Sequence, residues 1–134
     1  MNAPSADYPA GIIGYMQQYC MATDCLNAGK IGPTNKKHSG GITSYASAES
    51  VVERNVSIGT NWHSPIVASS KSSFSHDDNI YYIGSSFDIY GGYETGATLD
   101  DLHNKAFFKV LLNTDGAMPL WQVADKQGSF PIPY

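Results

Sequence analysis

Two acidic–histidine clusters hold the residues of this chain best suited to chemistry: His76-Asp77-Asp78-Asn79 and Asp100-Asp101-Leu102-His103-Asn104. Each combines imidazole with carboxylates. Two such clusters could share a divalent cation, with His76, Asp78, Asp100 and His103 as its ligands. The spacing argues the other way. Metal motifs place ligands at fixed helical or knuckle intervals, as in H-E-x-x-H, and neither cluster does so. Asp100 and Asp101 also have a local use as first-turn acids of a helix. Neither a metal nor another cofactor is expected.

Histidine catalysis is the second chemistry within reach. His38, His63, His76 and His103 could supply a general acid and base, and Ser64 or Cys25 a nucleophile. The catalytic alternative, with His63 and His103 as its residues, rests on His63 or His103 meeting Lys71, Arg54 or Lys105 across a cleft, in a small secreted hydrolase, nuclease or toxin. No nucleophile elbow of the G-x-S-x-G type surrounds any of them. In a chain this rich in serine, a Ser beside a His arises by chance.

The third candidate is a binding face. Tyr81, Tyr82, Phe87, Tyr90, Tyr93 and Trp121 fall on or beside expected strands. Tyr and Trp give large contact area at low entropic cost, so those pointing outward can meet a partner. Side chains alternate along a strand, so about half of them should fill the core instead. Tyr81, Tyr82, Tyr90, Tyr93 and Trp121 are the binding residues expected.

Composition narrows the partners. Of 134 residues, 15% are charged, and the formal net charge is −4. The charged share is low against the usual quarter, and Tyr, Gly, Ser and Asn fill the gap. Arg54 is the only arginine and Lys36-Lys37-His38 the only basic cluster, too little to neutralise a nucleic-acid backbone. No apolar run is long enough for a transmembrane helix. The first residues lack a basic segment followed by an apolar one, so no signal peptide is expected. Neutral polar surfaces of this kind suit secreted, virion or cell-surface proteins.

Ile12, Tyr15, Met16, Tyr19, Ala22 and Leu26 recur at three- and four-residue steps and predict an amphipathic helix over 9–28. Pro9 suits its first turn, and Asn27 with Gly29 its end. Cys20 and Cys25 on one helix would lie about 140° apart and about 7.5 Å along the axis, beyond disulfide reach. A bridge between them needs that helix to end between Met21 and Asp24. Residues 29–49 read as loop, and 50–128 as mainly β. In that region Ser50 and Glu53 fit a helical capping box, but Val52, Arg54, Val56 and Ile58 alternate as a strand would, and the branched residues favour a strand over 51–58. Asn55-Val56-Ser57 matches a glycosylation acceptor. Trp62 to Ala68, Asn79 to Ile83, Ser85 to Tyr90 and Leu120 to Ala124 are further strands, with turns at Gly91-Gly92 and Asn113 to Gly116. Thr98 caps a short acidic helix over Leu99 to Asn104. No internal repeat of useful period emerges.

Together these predict one α+β domain. A leader (1–8) precedes an N-terminal amphipathic helix packed on an antiparallel β-sheet, and an extended, proline-containing C-terminal tail occupies 129–134. The expected role is a non-enzymatic structural or binding subunit that associates with itself or with a protein partner. It would use the aromatic sheet face and the tail. The histidine-based enzyme is the alternative.

Overall fold

Gly11-Ile12-Ile13-Gly14-Tyr15 matches Gly41-Ile42-Thr43-Ser44-Tyr45, and Asp24-Cys25-Leu26 matches Arg54-Asn55-Val56 and Asp78-Asn79-Ile80. The structure, a computed structural model, describes residues 10–30, 38–60, 63–71, 73–84, 94–104, 106–107, 121–122 and 132–133. In it these matches are successive rungs of one coil. The first rung holds β1 (Ile13–Met16), β2 (Met21–Thr23) and β3 (Leu26–Asn27). The second holds β4 (Thr43–Ala46), β5 (Val51–Glu53) and β6 (Val56–Ser57). The third holds β7 (Val67–Ser70), a single bridge at Ser75, and β8 (Ile80–Tyr82).

Each strand pairs in parallel with its counterpart one rung on. Ile13 lies beside Thr43 and Thr43 beside Val67; Met21 beside Val51; Leu26 beside Val56 and Val56 beside Ile80. This is a parallel β-solenoid, in which each rung buries its apolar face on the next. β9 (Thr95–Ala97) extends the third sheet, which runs β3-β6-β8-β9.

This overturns the α+β expectation. Residues 9–28 form no amphipathic helix; their described part is the three strands of the first rung. The apolar steps that fitted a helix arise because two- to four-residue strands separated by corners also return an apolar residue every three or four positions. The sheets are parallel, not antiparallel. The antiparallel pair described is β10 (Trp121–Gln122) with β11 (Ile132–Pro133). Part of the expected free tail is therefore a paired strand. The repeat was hidden by its step. Equivalent residues lie 30 apart between the first two rungs and 24 apart between the next two. The extra residues enter between Lys30 and Gly40.

The corners explain how so short a strand can turn. Tyr19, Asp24, Glu49, Arg54 and Asp78 all have φ between 53° and 65°. They fall in two columns, Tyr19 over Glu49 and Asp24 over Arg54 over Asp78. A left-handed residue redirects the chain sharply but costs roughly 1–2 kcal/mol without glycine. Contacts along each column offset that cost. Arg54 Nε and Nη2 donate to Asp24 at 3.0 and 2.8 Å. At the position after the second corner, side-chain amides replace missing backbone partners. Asn55 Oδ1 accepts from Cys25 N–H at 3.0 Å, and Asn79 Oδ1 from Asn55 N–H at 3.1 Å. Asn55 Nδ2 donates to Ala22 O, and Asn79 Nδ2 to Val52 O.

Two apolar clusters follow. Met16, Ala22, Ile42, Ala46, Val52, Ile66, Val67 and Phe74 fill the coil. Full burial of an aliphatic side chain contributes about 1.5–3 kcal/mol. Packing there is close: a Cβ at Gly41 would sit 1.8 Å from Pro65 O and 2.5 Å from Ser57 Oγ. Val56 and Ile80, alternating with inward Ser57, join Ala97, Leu102 and Trp121 in the second cluster. Helix α1 (Leu99–Leu102) carries Leu102 into it and starts as expected. Thr98 is its N-cap, and Thr98 and Asp101 form a capping box.

Candidate functional site

The side chains left on the outside of the coil define the candidate site. Tyr15 and Tyr45 occupy the same register position on β1 and β4. Their rings stack with centroids 4.8 Å apart and planes 11° from parallel. That spacing is the distance between neighbouring strands, so the ladder itself sets the stack. Ser69 continues the position on β7. Around the first corner, Tyr19 is 73% exposed, with its hydroxyl donating to Glu49. Gln18 Nε2 donates to the same carboxylate at 3.0 Å. These two donors hold Glu49 below the usual carboxylate range, and Glu49 in turn pushes the Tyr19 phenol up. Exposed Met21 opens β2, and exposed Ile12 precedes β1.

The second corner is a fastening. Asp24 accepts from both Arg54 and the Trp121 indole, the latter at 3.2 Å, and Arg54 Nη1 also lies 3.6 Å from Glu53. The other oxygen of Glu53 accepts from the Ser75 hydroxyl. These groups are engaged with one another along the rungs. On the outside of the first two rungs lie Tyr15, Tyr45, Tyr19 and Met21, with the Glu49 carboxylate held among them.

Of the residues singled out from sequence, those that the structure describes lie away from this surface. Tyr81 is buried in β8, where burial and Glu94 push its phenol up, and Tyr82 is half-buried against the second cluster. Trp121 is buried in that cluster. Tyr90 and Tyr93 lie outside the described residues. For the metal alternative, His76 sits with its ring 4.9 Å from that of Phe74, and Asp78 is a corner residue. Asp100 is exposed on α1, and His103 is the C-cap of that helix. Among the described residues, no three of His, Cys, Asp and Glu are grouped to hold a metal ion.

His63 lies at the entry to the third rung and His103 at the end of α1, while Lys105 lies outside the described residues. Ser64 is buried. Cys20 and Cys25 form no disulfide: Cys20 is exposed, and Cys25 donates from Sγ to Thr23 O. Burial and adjacent Asp24 push the Cys25 thiol up, the wrong direction for a nucleophile. The Asn55 acceptor pattern is closed as well, because that amide is fully buried and used on both ends in the ladder. Among the described helices, none is long and apolar enough to cross a membrane.

Sequence reasoning missed Tyr15, Tyr19, Met21 and Tyr45 as surface residues, having placed Tyr15 and Tyr19 on the buried stripe of a helix. The signal that could have found the stack is the paired G-I-x-x-Y. Once Gly11 and Gly41 are aligned, Tyr15 and Tyr45 must be neighbours on adjacent strands. Set against known protein families, curated proteins and solved structures, the chain matches none.

Proposed function

We propose that this chain is a non-enzymatic structural or binding subunit, acting through association with itself or with a protein partner. The observation that carries this role is the stacked Tyr15–Tyr45 pair on the outside of a parallel sheet, with Tyr19 and Met21 exposed on the same rung as Tyr15. Aromatic side chains held rigid by a ladder give contact area at little entropic cost on binding. A low charged share removes the desolvation penalty that ion-rich surfaces carry. The solenoid suits such a role because its rungs repeat one side-chain position at a fixed spacing.

Sedimentation velocity over a wide concentration range, run beside a screen for hydrolysis of esters, phosphodiesters and glycosides, tests this role. Association without turnover is the expected result. A strictly monomeric protein with turnover that disappears in His63→Ala or His103→Ala would overturn it in favour of the enzyme.

A further inference from the structure

Tyr15, Tyr19, Tyr45, Tyr81 and Tyr82 are the tyrosines among the described residues, and the ladder sets one pair of them side by side. Tyr15 and Tyr45 share a register position, with centroids 4.8 Å apart and planes 11° from parallel. Parallel strands in register send equivalent side chains out of the same face in the same sense. Phenol end therefore lies beside phenol end, and each ring carbon beside its equivalent. No other described tyrosine has such a neighbour. On its far side Tyr45 meets Ser69, and Tyr19 meets Glu49. Tyr81 lies between Ser57 and Gly96, Tyr82 lies beside Ala97, and the two point to opposite faces of β8. The stacked pair is also within reach of a small oxidant, because Tyr15 is 49% exposed and Tyr45 half-buried. Exposed side chains turn on the picosecond-to-nanosecond scale, so the ring of Tyr15 can swing onto its neighbour.

Going beyond the assembly role and independent of it, we infer that Tyr15 and Tyr45 are a site of oxidative coupling, joined as an intramolecular dityrosine by hydrogen peroxide with a one-electron oxidant of the peroxidase class. Each phenol gives up one electron to the oxidant and its hydroxyl proton to solvent. The two phenoxyl radicals carry spin on the ring carbons next to the oxygen-bearing one, the Cε atoms. One C–C bond forms between a Cε of each ring. The two hydrogens on those carbons then move through solvent to the oxygens, which restores both phenols. Two electrons and two protons leave in all, and they reduce one hydrogen peroxide to two waters. The bond closes the chain between residues 15 and 45 into a covalent loop. It ties the first rung to the second, with which its described strands pair. Rungs of a solenoid are held by their neighbours, so this link protects the first rung against local opening.

Treatment of the dilute full chain with hydrogen peroxide and a peroxidase, followed by digestion and mass spectrometry, tests this. The expected product is a monomer that has lost two hydrogens, shows dityrosine fluorescence and yields a peptide pair joined through Tyr15 and Tyr45. Its yield per chain should not change on dilution. Tyr15→Phe and Tyr45→Phe each keep a ring in the stack but lack the hydroxyl, and each should abolish the link. Tyr19→Phe should leave it intact. Circular dichroism establishes that each variant is folded. In concentrated urea the ladder no longer holds the rings together, and the link should be lost. Coupling confined to covalent dimers, or a link through other tyrosines in place of this pair, overturns the inference. So does a link that forms equally in urea, or none under conditions that couple free tyrosine. The assembly role is judged separately, by sedimentation of the untreated protein.

Discussion

The indole N–H of Trp121 donates to Asp24 Oδ1, joining residues 97 apart in sequence. Asp24 is the first-rung member of the corner column, and its carboxylate also takes both arms of Arg54. One acid thus fastens the second rung to the first and a C-terminal strand to the coil. Buried Trp121 lies with Val56, Ile80, Ala97 and Leu102, so its apolar body and its polar edge are both used.

Separate substitutions resolve the two contributions. Trp121→Phe keeps most of the burial and loses the hydrogen bond to a charged acceptor, a loss of about 1.5–3 kcal/mol. Trp121→Ala removes the body too and should cost about 3–5 kcal/mol. Urea denaturation measures both. Equal effects of the two would show that the hydrogen bond, and not the packing, holds the strand.

The asparagine ladder gives a second prediction. Asn55 Oδ1 accepts from Cys25 N–H, while its Nδ2 donates to Ala22 O and Asn79 Oδ1. Asn55→Asp has nearly the same shape but turns a carboxylate toward two oxygens in a buried place. It should destabilise the fold by more than about 3 kcal/mol at neutral pH, with partial recovery on acidification as the carboxyl protonates. Thermal melts at pH 7 and pH 4 read this directly. An acid-independent loss would mean that the amide donor is not the important half.

How much of this was legible before the structure depends on the range of the cause. Thr98 and Asp101 act within three residues, and the capped helix was read correctly from them. Val52, Val56 and Ile80 were placed in strands because branched side chains announce β structure locally. The direction of pairing was not legible, because it depends on residues 24 or 30 apart, and the unequal step defeats a search for one period. The corners were hidden for a different reason. Tyr19, Glu49 and Arg54 sit in a conformation usually given to glycine or asparagine, so their identity does not signal a turn. The candidate site fell with the helix that was expected to bury it.

Three side-chain bonds set the pH range of the surface. Tyr19 and Gln18 hold Glu49 below the ordinary carboxylate value, and Thr98 does the same for Asp101. A depressed carboxyl contributes stability above its unfolded pKa and loses it as pH falls through the folded one. The Tyr19 phenol is raised, so its contribution is present below the unfolded value and fades as pH rises through the folded one. The Tyr19–Glu49 contact is therefore expected from mildly acidic pH to beyond pH 10. NMR titration of the Glu49 and Asp101 carboxyl carbons should give midpoints below those of model carboxylates. Thr98→Val should raise the Asp101 midpoint part of the way toward the ordinary range, because the backbone N–H of residue 98 still donates to it, and leave Glu49 unchanged. A Glu49 midpoint that does not move in Tyr19→Phe would mean that the Tyr19 hydroxyl does not hold Glu49 in solution.

The aromatic stack can be weighed by itself. Tyr15 and Tyr45 are brought to 4.8 Å by the strand ladder, so their attraction adds to pairing that exists without it. A double-mutant cycle with Tyr15→Ala and Tyr45→Ala should give a coupling of about 0.5–1.5 kcal/mol. The two single losses should differ, because Tyr45 is half-buried between two neighbouring rungs and, among the described residues, Tyr15 has a rung on one side. Tyr45→Ala should be the more costly for folding, and Tyr15→Ala the more costly for association. Denaturation and sedimentation on the same four proteins separate these effects. A Tyr15→Ala protein that folds less well than Tyr45→Ala yet associates normally would place Tyr15 in the fold and leave it no part in binding.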